Sequence, residues 1–295
     1  MLRLLDPKLD VVFKLLFAAE QSRDLLISLL SAVLRPARPI VDVTVLNPEL
    51  PVGGLEDKNI VLDVLVRLDD GSLVDVEMQT ESRPGASARA LYYWARMAGS
   101  ELHRGEGYAA MRRVALVLIL GYRAFADAPF HGVFQVRERQ SGVLLTDVLE
   151  IHSVELPRLG ELGPNERAAE EALVLWARFL NAHEQRELEE LARMDPIMGR
   201  AKSILEQLSG EPSAQEAARQ RELGLLNWHH SLHVAKEEGR AEGLAEGLLL
   251  ALAARGFELG EADRDRIRAC TDPERLQRCL SRVMTASSLA EVLAD

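Results

Sequence analysis

One stretch, residues 58–81, constrains the fold more than any other part of the chain. It reads KNIVLDVLVRLDDGSLVDVEMQTE, in which two apolar runs flank the polar segment 69–72. An Asp-Gly turn between two alternating apolar runs is a strong signal for a β-hairpin. The stretch therefore predicts two antiparallel strands, over residues 60–68 and 73–78.

Several carboxylates of this hairpin are candidates for a reactive site. Side chains alternate across a strand, so Asp75, Glu77 and Gln79 share one face of the second strand. Asp63 lies in the first strand, where the hairpin brings it near Glu77. Burying unpaired carboxylates is costly, so such a pair requires a cation, a hydrogen-bond network or access to water.

The order of these residues resembles a known nuclease core. Asp63 followed across a hairpin by Glu77, Met78 and Gln79 is similar to the PD-(D/E)xK motif, with Gln79 at the usual lysine position. The segments DVVFKLLF (10–17) and EGRAEG (238–243) resemble those of the bacterial recombination-promoting nuclease (Rpn) family, whose members are also labelled transposases. The resemblance covers residues 6–160 as a nuclease part and 230–295 as a common tail.

This resemblance implies both a fold and an activity. The fold is α/β, with a restriction-endonuclease-like αβββαβ core followed by an α-helical C-terminal region. The activity is metal-dependent DNA endonuclease cleavage, with double-stranded DNA as the partner. Asp63, Glu77 and Gln79 would be the catalytic residues. The metal would be Mg²⁺, or another divalent cation such as Mn²⁺ or Ca²⁺, bound by Asp63, Glu77 and the carbonyl group of Met78.

Phosphodiester hydrolysis requires an activated water and neutralisation of phosphate charge, and a divalent metal supplies both. Mg²⁺ takes hard oxygen ligands, often only one or two carboxylates. Gln79 can orient water through its amide but brings no positive charge. Lys14 and Lys58 are candidates for that missing charge. Asp75 is either an auxiliary ligand of the metal or water, or a surface acid at the end of its strand.

Helical patterns flank the hairpin on both sides. Asp6 and Pro7 predict a helix start, and Asp10 and Lys14 lie four residues apart on the helix that follows. The two residues form either a solvated ion pair or part of the cleft. Residues 86–104 predict another helix, with Leu91 on its inner face.

Arg89, Tyr93 and Arg96 recur on one face of that second helix. Between residues 83 and 113 the chain has six arginines against two acids. The arginines of this basic stripe either contact phosphates beside a cleft or form ion pairs with acids elsewhere in the chain.

The pattern changes along the second half of the chain. The apolar run 113–122 predicts a strand buried on both faces, and residues 133–139 and 143–154 predict a strand pair. His131 and His152 have no spaced partners and are interpreted as structural or surface residues. The sequence becomes helical from residue 164, with successive helices predicted over 214–226, 227–246 and 240–254, so we predict a nuclease-like domain over 1–160 and a helical region over 161–295. Glycines at 239, 243 and 247 define a strip for helix docking and oligomerisation, or a hinge.

Composition limits the classes of function. The chain has 295 residues, 47% of them hydrophobic, and a net charge of −11, which argues against non-specific coating of DNA. The first 150 residues hold 17 basic and 20 acidic side chains, so most of the acidity belongs to the remainder. We expect no membrane span and no signal peptide.

Two cysteines without metal-type spacing predict reduced thiols and a cytoplasmic protein. The alternative function is a catalytically weak or inactive nuclease fold that acts as a DNA-binding or protein-interaction module. Gln79, the acidic balance and the glycine strip favour that alternative.

Overall fold

The computed structural model describes residues 3–46, 63–82, 84–102 and 105–294. Its contacts divide the chain into two compact units, Met1–Arg221 and Glu222–Asp295. Lys58 and the beginning of the predicted hairpin, residues 58–62, lie outside the described residues. The first unit contains the sheet and the candidate site.

A mixed sheet, with six strands in the described part of the chain, forms the centre of the first unit. Its strands lie in the order β1-β2-β3-β4-β6-β5. β3, β4 and β6 run parallel to one another, whereas β1, β2 and β5 pair antiparallel with their neighbours. The strands are β1 (Val43–Val45), β2 (Val64–Leu68), β3 (Leu73–Gln79), β4 (Val114–Leu120), β5 (His131–Phe134) and β6 (Leu149–Glu155).

Helices precede, interrupt and follow this sheet. Their order confirms the predicted α/β class with an αβββαβ core and a helical C-terminal region. They are α1 (Asp10–Phe17), α2 (Arg23–Leu34), α3 (Ala86–Ser100), α4 (Pro164–Ala169), α5 (Glu171–Asn181), α6 (Gln185–Met194), α7 (Pro196–Gly210), α8 (Pro212–Ala254), α9 (Glu261–Arg268), α10 (Pro273–Val283) and α11 (Leu289–Val292).

The predicted hairpin is present as β2 and β3. Its turn is closed by the Gly71 N–H, which donates to the Leu68 carbonyl at 2.9 Å, and by the Ser72 N–H, which donates to Asp70 Oδ1 at 2.8 Å. Gly71 has φ 86°, the left-handed region that glycine adopts without steric cost. The antiparallel register pairs Val64 with Val76. The residue before Val64, Asp63, is therefore placed opposite the residue after Val76, Glu77.

α3 covers one face of the sheet. Leu65 of β2 and Leu116 of β4 pack with Ala90 and Met97 of α3 in one buried cluster. The prediction that Leu91 lies on the inner face was wrong, since its side chain is 55% exposed. The buried stripe instead passes through Ala90 and Met97, seven residues apart, which is two helical turns.

The helices after the sheet pack against the helices before it. Phe17 of α1 lies 5.4 Å from the Trp176 ring of α5, measured between centroids. The Trp176 indole N–H donates to Ser28 Oγ of α2 at 3.1 Å. The compact unit therefore extends to Arg221, well beyond residue 160. A division of function at residue 160 stays a prediction.

Two helix boundaries differ from the sequence predictions. α1 begins at Asp10 and not at Pro7, because the Asp6 carboxylate instead accepts the Lys8 N–H at 2.9 Å within a turn. The separate helices predicted over 214–254 form one continuous helix, α8. Consecutive helical patterns without a proline between them give no local signal for a break.

The second unit has a small core of its own. Leu248 and Leu252 of α8 pack with Leu276, Cys279 and Val283 of α10. Cys270 and Cys279 are both free, as the sequence predicts, and Cys279 is buried. Across the described residues, no helix is both long and apolar enough to cross a bilayer.

Candidate active site at the hairpin

Asp63 immediately precedes β2 and is held against β3. Its Oδ2 accepts a hydrogen bond from the Met78 N–H at 2.8 Å. The pKa of Asp63 is raised to about 6, because burial and then the Asp10 charge outweigh the lowering by the Met78 N–H and by the Lys14 and Arg221 charges. The hairpin therefore fixes this carboxylate in a partly desolvated position.

Glu77 lies on the adjacent strand and is more deeply buried. Its side chain points to the α3 face of the sheet, because its β4 neighbour Leu118 belongs to the cluster under α3. Glu77 Oε1 has no hydrogen-bond partner among the described residues. Burial and then the Asp63 charge raise the Glu77 pKa to about 8. We call Asp63 and Glu77 the carboxylate pair.

Asp75 occupies the same face two residues earlier. It is fully buried between Leu65 and Leu116, so its interpretation as a surface acid at the strand end was wrong. The sequence showed which face Asp75 shares but not that α3 covers that face. Burial, together with the charges of Glu77 and Asp63, raises the Asp75 pKa well above its usual value.

Within the described ranges, neither oxygen of the ionised Asp75 carboxylate accepts a hydrogen bond that meets the usual geometry. When Asp75 is protonated, its own carboxyl O–H becomes the donor and forms a hydrogen bond with Glu77. In the absence of a cation, the two carboxyl groups can therefore share a proton.

Gln79 ends β3 and is held by two donors. Arg89 Nη2 of α3 donates to Gln79 Oε1 at 2.9 Å, and the Tyr122 hydroxyl donates to the same oxygen at 3.2 Å. The Arg89 charge also lowers the pKa of Glu77. Arg89, predicted as a DNA contact, thus lies inside the site.

Asp10 reaches the same region from α1. Its carboxylate forms a two-bond ion pair with Arg221 of α8, with Nε–Oδ1 2.7 Å and Nη2–Oδ2 2.6 Å. Of the two alternatives for Asp10 and Lys14, the solvated ion pair is not formed between these two described residues, because the Arg221 guanidinium binds both Asp10 oxygens. The Asp10, Lys14 and Arg221 charges all act on Asp63, which places these three residues beside the carboxylate pair.

The remaining predicted residues have different positions. Tyr93 of α3 is half-buried against the sheet, where burial and the Glu77 charge raise its pKa. Arg96 lies one turn further along the same helix and is partly exposed.

Arg221 and Tyr122 were missed by the sequence analysis. Arg221 is 211 residues from Asp10, and no local pattern links them. Tyr122 lies two residues after the end of β4, at the edge where parallel strand ends meet. That position was the one signal that could have identified it.

The donor set fits a hard divalent cation. No group of three or more His, Cys, Asp or Glu side chains that could hold a metal ion occurs within the described ranges. Mg²⁺ often takes one or two carboxylates and completes its shell with carbonyl, phosphate and water oxygens. The buried Glu77 Oε1 without a partner, close to a second carboxylate, is the arrangement that such an ion stabilises.

The two histidines form a separate structural pair between β5 and β6. His131 Nε2 and His152 Nδ1 lie 3.1 Å apart, and His152 Nε2 lies 3.1 Å from Glu150 Oε2. Burial and then the His131 charge lower the His152 pKa to about 4. The neutral pair joins the last two strands and is not part of the carboxylate site.

Comparison with known proteins adds one finding. The family model described as PD-(D/E)XK nuclease family transposase matches residues 7–235. No match arises among curated proteins or among solved structures. The matched range contains the hairpin, α3 and Arg221, so it spans every residue of the site described above.

Proposed function

Because the chain belongs to the PD-(D/E)XK nuclease family transposases, we propose that it is a metal-dependent endonuclease that hydrolyses phosphodiester bonds in double-stranded DNA. The observation that carries the proposal is the carboxylate pair. The Met78 N–H holds Asp63 across from Glu77, whose Oε1 has no hydrogen-bond partner in the part of the chain that the structure describes when Asp75 is ionised. Two hard oxygen donors are thereby held together at the end of a buried sheet.

The carboxylate pair would bind the metal, which is Mg²⁺ or another divalent cation such as Mn²⁺ or Ca²⁺. When bound, the ion supplies an activated water and neutralises charge on the phosphate. The N–H and C=O of one strand residue point the same way, and the Met78 N–H faces Asp63. The Met78 carbonyl is therefore proposed as a third ligand.

Gln79 would orient the water or a phosphate oxygen. Its carbonyl oxygen is occupied by Arg89 and Tyr122. Its amide NH₂ is therefore the end left to act on the substrate, and it acts as a donor. Asp75 stabilises this arrangement, because its buried carboxyl, when protonated, can donate a hydrogen bond to Glu77.

DNA contacts are proposed on α3 and α1. Arg96 and Tyr93 follow Arg89 along one side of α3, and Lys14 lies beside Asp63. Cations near a cleft position the phosphate backbone without reading its sequence. Such contacts offset the acidic net charge of the chain locally.

The second candidate is a nuclease-fold module without turnover. The neutral Gln79 at the position of the usual lysine favours it. This candidate predicts that DNA or a protein binds without any requirement for a divalent metal, so the experiment below separates the two.

The proposal extends to assembly and location. The glycine strip of α8, Gly239, Gly243 and Gly247, has open space at each position where a Cβ would stand. A helix of a second copy could approach closely there, which makes a homo-oligomer through the C-terminal helices part of the proposal. A nuclease acting on cellular DNA would share its compartment, which we take to be the cytoplasm.

Plasmid nicking tests the proposal. Wild type should nick supercoiled plasmid with Mg²⁺ or Mn²⁺ and stop when a chelator is added. Asp63→Asn keeps the size of the side chain but removes the charge, so the rate should fall at least about 100-fold, the upper range for outer-shell losses at metal sites. Asp69→Asn, at an exposed acid of the same hairpin, is the matched control and should nick at the wild-type rate.

Two results would contradict the proposal. Equal nicking by wild type and Asp63→Asn would assign the activity to another site or to a contaminant. Absence of nicking in wild type with several metals, while the chain binds DNA, would favour the non-catalytic module.

A further inference from the structure

We propose that Arg89 is the cationic positioning residue of this site, which fixes the Gln79 amide and compensates for the positive charge that Gln79 lacks. The inference deepens the proposed function and rests on it. The sequence suggested Lys14 or Lys58 for the missing charge, and it assigned Arg89 to DNA binding.

The contact between Arg89 and Gln79 carries the proposal. Arg89 Nη2 donates to Gln79 Oε1 at 2.9 Å, and the Tyr122 hydroxyl donates to the same atom at 3.2 Å. A guanidinium has donors and no acceptor, so it can face only the oxygen of the amide. Arg89 therefore selects one of the two amide orientations and leaves the NH₂ group as the free end of Gln79.

The charge of Arg89 also acts on the metal-binding carboxylate. Glu77 lies on the face of the sheet that α3 covers, and the Arg89 guanidinium of α3 interacts with it electrostatically. A cation near two carboxylates in a desolvated site stabilises their ionised forms. The Arg89 side chain of α3 thus interacts with both Glu77 and Gln79, the two residues of β3 that the motif places two positions apart.

The other described cations of the site act elsewhere. The charges of Lys14 and Arg221 act on Asp63, and Arg221 is bound to Asp10. Among the residues that the structure describes, Arg89 is the cation that hydrogen-bonds Gln79. Its position is fixed by the helix, because the next residue, Ala90, is buried in the cluster under α3.

The competing role for Arg89 is a direct contact with a DNA phosphate. The two roles predict different couplings. A phosphate contact should contribute equally whether residue 79 is Gln or Lys, and its loss should weaken DNA binding. A positioning residue should become dispensable once residue 79 carries its own positive charge, since the two substitutions then remove one shared function.

A double-mutant cycle tests this difference. Arg89→Met should lower the nicking rate about 10–100-fold in the wild-type background, as does loss of an orienting partner at other metal sites. In the Gln79→Lys background the same change should cost less than about threefold, which is close to the limit of additivity for uncoupled sites. Arg89→Lys, which keeps the charge, should recover part of the rate. Arg186→Met removes an exposed arginine paired with Glu190 and serves as the control.

DNA affinity measured by fluorescence anisotropy without metal provides the first independent readout. The DNA affinity of Arg89→Met should differ from that of wild type by less than about threefold, which is the limit used above for sites that do not interact. Equal rate losses in both backgrounds, accompanied by weaker DNA binding, would overturn the proposal in favour of a phosphate contact.

The side-chain amide of Gln79 provides a readout that needs no activity. Its NH₂ resonances can be assigned by their loss in Gln79→Lys, and in Arg89→Met they should shift and show increased mobility. Unchanged amide resonances in Arg89→Met would overturn the proposal even if no variant cuts DNA. Failure of wild-type nicking would instead contradict the proposed function, so the two failures are distinguishable.

Discussion

At the scale of single residues, burial disfavours ionisation of the carboxyl groups of the site, whereas nearby positive charges favour ionisation of Asp63 and Glu77. Asp75 and Glu77 stand on one buried face of β3, and Asp63 joins them from just before β2. Burial raises the pKa of all three carboxyl groups. Protons offset the desolvation cost in the metal-free chain, and a divalent cation would do so in the loaded one.

Glu77→Gln should stabilise the metal-free protein at high pH. The Glu77 pKa is about 8 in the folded chain against an ordinary value of 4.5. Between these values the folded chain keeps a proton that the unfolded chain has released, so stability falls as pH rises through this window. At pH 9 the variant should therefore be more stable than wild type by about 1–3 kcal/mol. The difference should be small at pH 5.

Urea unfolding with a chelator at pH 5, 7 and 9 measures this effect. Glu189→Gln, at an exposed helical acid, is the control and should show no such trend. A difference between wild type and Glu77→Gln that stays constant with pH would contradict the account. Mg²⁺ should stabilise wild type at pH 9 and leave Glu77→Gln unaffected.

The sequence predicts these residues only in part. Alternation along β3 shows that Asp75 and Glu77 share a face, because that property is local. It does not show that α3 covers the face, so the burial of Asp75 could not be predicted. The contacts of Arg89 with Gln79 and of Arg221 with Asp10 depend on how helices pack on the sheet, and no spacing in the chain encodes them.

At the scale of elements, strong local signals were reliable and boundaries were not. The Asp-Gly turn and the seven consecutive buried residues of β4 predicted the centre of the sheet. α1 began later than predicted, because Asp6 caps a turn before the helix. β5 and β6 are offset from their predicted ranges, since the residues around the turn at 140–142 form an isolated bridge, Arg137 with Leu144, and not a pair of strands.

Gly243→Leu tests the glycine strip of α8. No atom of the residues that the structure describes lies within 4 Å of a Cβ at this position, so the single chain can accept a side chain there. If a second copy docks on the strip, the leucine should prevent close approach and reduce the molar mass measured by light scattering. Gly224→Leu changes an equally open glycine of the same helix and should keep the wild-type mass.

Either of two results would contradict oligomerisation through the strip. One is a monomeric wild type at all concentrations tested. The other is an oligomer whose mass is the same in wild type and Gly243→Leu.

At the scale of the whole molecule, the site depends on helices that follow the sheet. α5 and α7 pack against α1 and α2, and Arg221 of α8 binds Asp10 beside the carboxylate pair. The family match extends to residue 235, in agreement with this dependence. α8 itself continues into the second unit, so one helix joins the residue that binds Asp10 to the C-terminal region.

A fragment that ends at residue 160 should therefore not fold stably. It lacks Trp176, which is buried against Phe17, and loss of a buried aromatic side chain alone costs about 3–5 kcal/mol. Typical domains have only about 5–15 kcal/mol of stability. A fragment that ends at Arg221 should unfold cooperatively by circular dichroism. Equal cooperative unfolding of both fragments would show that the helices 164–210 are dispensable for the fold.

The most direct test of the central claim is a crystal soaked in Mn²⁺ and measured at the manganese absorption edge. The account predicts an anomalous peak between Asp63 and Glu77, at coordination distance from both carboxylates and from the Met78 carbonyl, and no peak there in Asp63→Asn crystals. A wild-type crystal with no peak at the carboxylate pair, or with a peak that persists in Asp63→Asn, would contradict the assignment of this hairpin as the metal site.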